Sequence, residues 1–358
     1  MTLWERLRAA YGGRRVLVTG HTGFKGSWLV VALDELGAEV SGLALPAVEG
    51  GIHRRAGVRR RLVDDLVVDV RDPAAVAAAL AEQRPELVLH LAAQALVPAS
   101  FVDPVGTFAV NVVGTASVLD AAARTPGVAG VVVVTSDKVY ANDGSGRPFR
   151  EDDRLGGGDP YSASKAAAEL VVASWRHSFG RSASSPSAPV VVTARAGNVI
   201  GGGDVGDHRL VPDAIRSLVA GRPIAVRHPD ARRPWQHVLA PVTGYLLYGE
   251  ALLAGRTVPP ALNFGPQEPA ASVRSVVDGI IERWGAGSWV ADDADLGPEA
   301  PVLDLDASLA TTELGWQPTP ELATALDLTV AWYRADAAGE DVDALTVAQV
   351  HHHLGRTS

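Results

Sequence analysis

The stretch VLVTGHTGFKGSWLVVAL (Val16–Leu33) constrains the fold more than any other segment of the chain. An apolar, β-branched run leads to Thr19, glycines recur at Gly20, Gly23 and Gly26, and an apolar helical pattern follows at once. Glycines at this spacing allow a tight strand-to-helix turn and let backbone N–H groups approach a diphosphate at the helix N-terminus. In a chain with 37 glycines the spacing alone says little; its position between a strand and a helix gives it weight. The chain then repeats the alternation. Strands are expected at Arg15–Thr19, Glu39–Leu45, Val63–Val68, Leu87–Leu91, Val131–Thr135 and Val190–Arg195, and helices at Ser27–Leu36, Pro73–Gln83, Pro104–Arg124 and Ser162–Phe179. Such βαβ alternation predicts an α/β fold, a Rossmann-type doubly wound parallel sheet. SASSPSAP (Ser182–Pro189) reads as a surface loop. After Gly201 the pattern turns irregular, which predicts a smaller C-terminal substrate-binding lobe. The expected organisation is a nucleotide-binding domain over 12–200, a lobe over 201–345, and segments near 235–262 returning to the first domain.

Composition narrows the function classes. At 358 residues the chain can form one large α/β domain, or a large and a small one. It has no cysteine, which excludes a disulfide framework, thiolate metal sites and a cysteine nucleophile, and fits a reducing cytoplasm. A formal net charge of −9 argues against nucleic acid as a partner. MTLWERLRAAYGGRR has no apolar region followed by a cleavage site, so no signal peptide is expected. No apolar run reaches the ~20 residues of a membrane span, so no membrane partner is expected. His351–His353 reads as a solvated tail, and no metal site is expected.

A second motif carries chemistry. DPYSASKAAAELV places Tyr161 and Lys165 four residues apart at a helix start, on one face. Tyrosine, with a pKa of about 10 in water, is a poor base at neutral pH. A neighbouring ammonium and a positively charged nicotinamide both favour the phenolate, which could then accept a proton from a hydroxyl. Between the two motifs, VVVVTSDKVY ends a buried strand in Ser136, Asp137 and Lys138. The acidic residue that would meet a ribose falls near Ala44, which cannot do so, and Arg54 and Arg55 could accept a 2′-phosphate. Asp69 reads as an adenine ligand or a helix N-terminal acid; Asp72, before Pro73, is the better cap.

With the glycine turn, the segment His90–Ala93 and the Tyr161/Lys165 pair in place, the chain resembles the extended short-chain dehydrogenase/reductases. Within them it is most similar to the CDP-glucose 4,6-dehydratases, through GHTGFKGSWL, HLAAQALV, TSDKVY, LGGGDPYSASK, RAGNVIGGGD, DHRLVPD, RPWQHVLAP and ELGWQPT. The resemblance spans Gly20 to Thr319. It implies NAD as cofactor, a nucleotide-sugar substrate, a homodimer or dimer of dimers, and oxidation at carbon 4, loss of water across carbons 5 and 6, and reduction at carbon 6. It implies that Ser136, Asp137, Lys138, Tyr161 and Lys165 are catalytic: Tyr161 as base, Ser136 on the 4-hydroxyl, Asp137 as acid to the leaving hydroxyl, and Lys138 near carbon 5 as base or as stabiliser of an enolate. It assigns cofactor contacts to Gly20, Thr22, Gly23, Phe24, Gly26, Asp69, Val70, Leu91, Ala92, Ala93, Thr135, Tyr161 and Lys165. Gln94, Asn198, Arg209 and Arg233 fall to the substrate; arginine suits a diphosphate because its fork binds in a bidentate way.

The chain departs from that pattern beside the site. ANDGSGRPFREDD is shorter and richer in glycine than the family's segment, and alanines stand at Ala141 and Ala240 where glutamates are expected. Two alternatives therefore stand: a 4-epimerase or a dehydratase of another nucleotide sugar, and a non-catalytic cofactor-binding protein. Asp137 and Lys138 argue for a dehydratase, because an epimerase has no hydroxyl to expel; Tyr161 and Lys165 argue against a binding-only role.

Overall fold

Buried apolar runs set the sheet. The computed structural model describes residues 1–142, 144–180, 187–292 and 303–356. Six strands, β1 (Arg15–Thr19), β2 (Glu39–Ala44), β3 (Asp64–Val67), β4 (Leu87–His90), β5 (Gly130–Val134) and β6 (Val190–Ala196), are joined by a seventh at Ala261–Phe264. Their order is the Ala261–Phe264 strand, β6, β5, β4, β1, β2, β3, and every pairing is parallel. Central strands such as β5 are buried on both faces, as a parallel sheet covered by helices requires. The order reverses between β1 and β4, and an open α/β sheet binds its ligand beyond the strand carboxyl ends at such a point.

The helices on the N-terminal part are α1 (Leu3–Tyr11), α2 (Phe24–Glu35), α3 (Ile52–Arg55), α4 (Pro73–Gln83), α5 (Val97–Val102), α6 (Pro104–Phe108), α7 (Gly114–Arg124) and α8 (Pro160–Phe179). Asp72 caps α4 by accepting from the N–H groups of Ala74 and Ala75. The helix expected over Pro104–Arg124 is interrupted: α6 and α7 are joined by a π-helical turn at Ala109–Val113. Asn111 in that turn is buried; its amide donates to Ser164 Oγ (2.8 Å) and to Gln94 O (3.0 Å), while its Oδ1 accepts from Gln94 N–H (2.9 Å). The extra residue re-aims a side chain into the loop after β4, a recurrent use of π-bulges. The 21 residues Pro104–Arg124 do meet the length and apolarity of a membrane span, contrary to expectation. Half of the apolar window is buried, with α7 packed on α4 and α8, which is the pattern of a core helix.

The later chain returns to the sheet. Helix Leu239–Leu253 is buried almost throughout and packs on β4, β5 and β6, before Ala261–Phe264 extends the sheet beyond β6. The C-terminal helix Val342–Leu354 lies on α1 and α2. Arg61 clamps it by reaching Asp34 and Glu35 of α2 (2.6 and 3.1 Å) and Asp343 (2.7 Å). His351 and His353 are therefore not a solvated tail. They end a docked helix, with His351 Nε2 2.7 Å from Glu35 and His353 Nε2 2.9 Å from Thr243 Oγ1. The loop expected at Ser182–Pro189 lies, up to Pro186, outside the described residues.

Candidate active site at the carboxyl ends of the strands

The glycine turn has the shape that a diphosphate cradle needs. Gly20 adopts φ +72°, and a Cβ there would sit 2.6 Å from Ala92 N. At Gly26 a Cβ would lie 2.2 Å from Gly20 O, so the helix could not approach the turn. Gly23 is the N-cap of α2 and supplies no side-chain cap, which leaves first-turn N–H groups directed towards a ligand. Thr22 Oγ1 donates to Leu45 O (2.9 Å), and Phe24 lies against Gly201. These residues fit the diphosphate of a dinucleotide. Ala44 ends β2, as the sequence implied, and Arg55 turns to Asp336 (3.4 Å). Asp69 is held by Arg71 through two guanidinium nitrogens (3.0 and 2.6 Å), and that pairing keeps its carboxyl below the usual range. Val70 is buried against Gly114.

The loop after β4 is fixed from beneath by His90. Its Nδ1 lies 2.7 Å from Thr19 Oγ1 and its Nε2 3.1 Å from Thr115 Oγ1. Thr115 donates to Asn111 O and Thr19 accepts from Ala92 N–H, which assigns the ring proton to Nε2. Leu91, Ala92 and Ala93 are thereby set at the strand ends. Gln94 has its whole side chain engaged inside the protein: Nε2 donates to Thr107 Oγ1 (2.9 Å) and Oε1 accepts from Leu96 N–H (2.5 Å).

At the end of β5, Ser136, Asp137, Tyr161 and Lys165 are all buried. Ser136 is the N-cap of a 3₁₀ turn, Asp137–Val139; its hydroxyl donates to Asp137 Oδ1 (2.9 Å) and accepts from Lys138 N–H (3.2 Å). The Asp137 carboxyl packs against Gly197, where a Cβ would come within 2.9 Å of Oδ2 and 3.1 Å of Pro234. Burial raises the Asp137 pKa, against the opposing charges of Lys138, Lys25 and Arg233. Burial also pushes the Tyr161 phenol up to about 12, although its hydrogen bond with Ser136 works the other way. Lys165 does not relieve this: its Nζ donates to Val134 O (3.1 Å), and burial, then the charge of Lys25, pull it down to about 7. In the chain by itself, desolvation thus outweighs the ammonium that the sequence suggested would favour the phenolate.

Other residues came into view only with the structure. Lys25, in the first turn of α2, joins the electrostatic environment of Asp137, Lys165, Asp204 and Arg209, and burial followed by Arg209 lowers it to about 8. Its signal was in GHTGFKGSWL, where it reads as the start of a helix. Glu169, one turn beyond Lys165, is buried and accepts from Thr135 Oγ1 (2.6 Å), Thr193 Oγ1 (2.9 Å) and both Arg195 Nε and Nη2 (2.9 and 2.8 Å). Arg195 also donates to Tyr140 Oη (2.9 Å), which donates to Asn263 Oδ1 (2.7 Å). This network locks β5, β6 and α8 together under the site. Glu151 accepts from Asn263 N–H (2.8 Å).

On the far side, Asn198 O accepts from Gln236 N–H (3.2 Å). Arg209 precedes helix Leu210–Val219 and pairs with Asp204 (2.9 Å); Arg233 is buried and donates to Arg232 O (2.8 Å). The unusual segment after Tyr140 lines an open cavity of ≈ 450 Å³ bordered by Ala141, Arg147, Phe149 and Arg154.

A glycine turn on β1, a buried Tyr161/Lys165 pair and a hydroxyl–carboxyl strand end on one parallel sheet define a class of nicotinamide-dependent enzyme. The chain belongs to the NAD dependent epimerase/dehydratase family, whose pattern it matches over residues 16–284. It is 39% identical over 350 residues to a CDP-glucose 4,6-dehydratase from Salmonella typhimurium, across 97% of this chain and 98% of that protein. Among solved structures it superposes with a TM-score of 0.76 on a dTDP-glucose 4,6-dehydratase from Streptomyces venezuelae with NAD bound, at 27% identity, covering 91% of this chain and 99% of the other. A UDP-glucose 4-epimerase from Thermus thermophilus in complex with NAD also gives a TM-score of 0.76, at 28% identity over 89% of this chain and 99% of the other.

Proposed function

We propose that the chain catalyses the NAD-dependent 4,6-dehydration of a nucleotide-activated hexose, with CDP-glucose as substrate and CDP-4-keto-6-deoxyglucose as product. The observation that carries this reading is the buried Asp137 carboxyl, raised in pKa and hydrogen-bonded to Ser136 beside Tyr161. A 4-epimerase needs no such acid. The 39% identity to an enzyme named for CDP-glucose supports the nucleotide.

Bound NAD supplies the hydride acceptor and donor, and a positive ring charge. Gly20, Thr22, Gly23, Phe24 and Gly26 would hold the diphosphate, with Asp69, Val70, Leu91, Ala92, Ala93 and Thr135 lining the rest of the cleft. Tyr161 accepts the proton of the sugar 4-hydroxyl, to which Ser136 is hydrogen-bonded, as carbon 4 becomes a ketone. The ketone acidifies the hydrogen on carbon 5; Lys138 removes that proton as a neutral amine or, charged, stabilises the enolate. Asp137 gives its proton to the 6-hydroxyl, which departs as water. Carbon 6 would then receive the hydride that carbon 4 gave up, and carbon 5 a proton, so the net change is one water lost. Asn198, Arg209 and Arg233 would hold the substrate diphosphate, and the lobe within 201–345 would close over it, less the helix and strand at Leu239–Phe264 that belong to the sheet. A single-turnover experiment with Asp137→Asn tests the acid: reduced cofactor should form and persist, and product formation at the wild-type rate would refute it.

The exposed apolar residues Phe101, Val102, Val105, Phe108, Val113 and Leu170 cluster on α5, α6, the π turn and α8. This apolar surface supports a homodimer joined through these helices. A cysteine-free composition supports a cytoplasmic setting.

A further inference from the structure

Beneath the glycine turn, on the side of β2 and β3, three metal-ligand side chains converge. His21 belongs to the turn and its ring is fully buried, pressed so closely on β2 that a Cβ at Gly42 would lie 2.5 Å from its Cγ. His53, from α3, is 7% exposed, and its ring centroid lies 5.5 Å from that of His21. Asp65, on β3, places Oδ1 2.9 Å from His21 Nε2. One ligand atom from each of the three lies within 4.8 Å of the other two.

One nitrogen in this cluster, His53 Nε2, is buried without a hydrogen-bond partner among the described residues, while His21 turns Nδ1 to β2 and Nε2 to Asp65. A buried polar atom is seldom left so, and one beside two further ligand groups calls for a ligand. Its chemistry follows from the donors. His21 now donates from Nε2 to Asp65 (2.9 Å), so on binding an ion its proton would move to Nδ1 and both histidines would ligate as neutral imidazoles. Against its own desolvation, hydrogen bonds with His21 and Arg59 keep the Asp65 carboxyl below the usual range. Arg59 takes the second oxygen, Oδ2, at 2.6 Å. A ligating carboxylate is commonly oriented by such an outer hydrogen bond. The positive charges of Arg54 and Arg59 oppose a cation here, so the imidazoles must supply most of the affinity.

We propose that His21, His53 and Asp65 form a site for a divalent transition metal of the zinc type, with a fourth position open to water. Two imidazoles and one carboxylate are a common donor set for such ions. Metal–nitrogen bonds of about 2.0–2.1 Å set tetrahedral ligand atoms about 3.4 Å apart, so from within 4.8 Å His53 and Asp65 would swing towards the fixed His21 ring by up to roughly 1.5 Å. The bound ion would tie the cofactor turn, through His21, to α3 and β3. This site is distinct from the strand-end chemistry and does not depend on the proposed reaction.

The test is a titration of the full chain, stripped with a chelator, with Co²⁺ as the probe. One equivalent should saturate the intense visible absorption of a tetrahedral nitrogen/oxygen site, and Zn²⁺ should displace it. His53→Phe keeps the volume and should abolish the band; Asp65→Asn should weaken binding at least tenfold, with both folds checked by circular dichroism. His352→Gln, at the exposed histidine of the C-terminal helix, should leave the band intact. Absence of a saturable band in the wild type, or its survival in His53→Phe, would overturn the proposal.

Discussion

At Asp137 a carboxyl is kept protonatable by its surroundings: Gly197 packs against it and burial raises its pKa, against the Ser136 hydrogen bond, which favours the charged form. An acid of this kind delivers a proton only while it remains protonated, so the elimination step should fail as pH rises through the raised value. Asp137→Asn should lower product formation roughly 10²–10⁴-fold, the usual share of a general acid. In the same variant the near-ultraviolet absorbance of reduced nicotinamide should accumulate. Tyr161→Phe should behave differently, forming neither reduced cofactor nor product. Cofactor affinity has its own residue-scale test. Gly26→Ala would force a Cβ onto Gly20 O, now 2.2 Å from where that atom would stand, so NAD should bind roughly tenfold or more weakly by calorimetry, about 1.4 kcal/mol.

At the scale of elements, the site depends on three pieces of backbone held in register: the ends of β5 and β6 and the first turns of α8. Glu169 and Arg195 join them through a buried, bidentate pair. Arg195→Met would strand the Glu169 carboxylate in the interior, and loss of one partner from such a pair costs about 3–5 kcal/mol. Urea denaturation should show that loss, while Arg124→Met, removing an exposed pair with Asp120, should change stability by under about 1 kcal/mol. Much of this layer was legible in the chain. The β1 turn, β5 and α8 announce themselves by period, by glycine spacing and by the buried valines of Val131–Val134. The π turn was not, because Ala109–Val113 carries an ordinary helical pattern and only Asn111, bonded to Gln94 and Ser164, makes the extra residue worthwhile. The Glu169–Arg195 pair was hidden for a related reason: each residue reads as a solvated charge until the fold brings α8 beside β6. The cluster of His21, His53 and Asp65 likewise comes from three elements with no common spacing.

At the scale of the whole molecule, buried histidines set the acid limit. Burial holds His90 and His237 at about 3, against 6.5 when unfolded. Between those values the unfolded chain binds more protons than the folded one, so stability falls as pH drops below about 6.5. Two histidines give a slope of up to about 2.7 kcal/mol per pH unit. Asp137 and Glu151, raised by burial, take up protons in the folded state and oppose that slope, while His353, held at about 4, adds to it. Melting temperatures from pH 7 to 4 should fall steadily, and His237→Leu should flatten the fall; a melting temperature constant across that range would refute the account. The C-terminal helix, docked on α2 through Arg61 and His351, belongs to this scale too. Its polar composition suggested a tail, and only the acidic residues of α2 reveal why it docks.

The central claim is that this strand end expels water from a nucleotide sugar. The most direct measurement is to incubate the purified enzyme and NAD with CDP-glucose, dTDP-glucose and UDP-glucose in parallel, and to follow product mass together with the base-induced ultraviolet absorbance of a 4-keto sugar. The account predicts loss of one water from CDP-glucose, with the keto-sugar absorbance appearing alongside it. An unchanged mass with a new sugar epimer would contradict the roles given to Asp137 and Lys138.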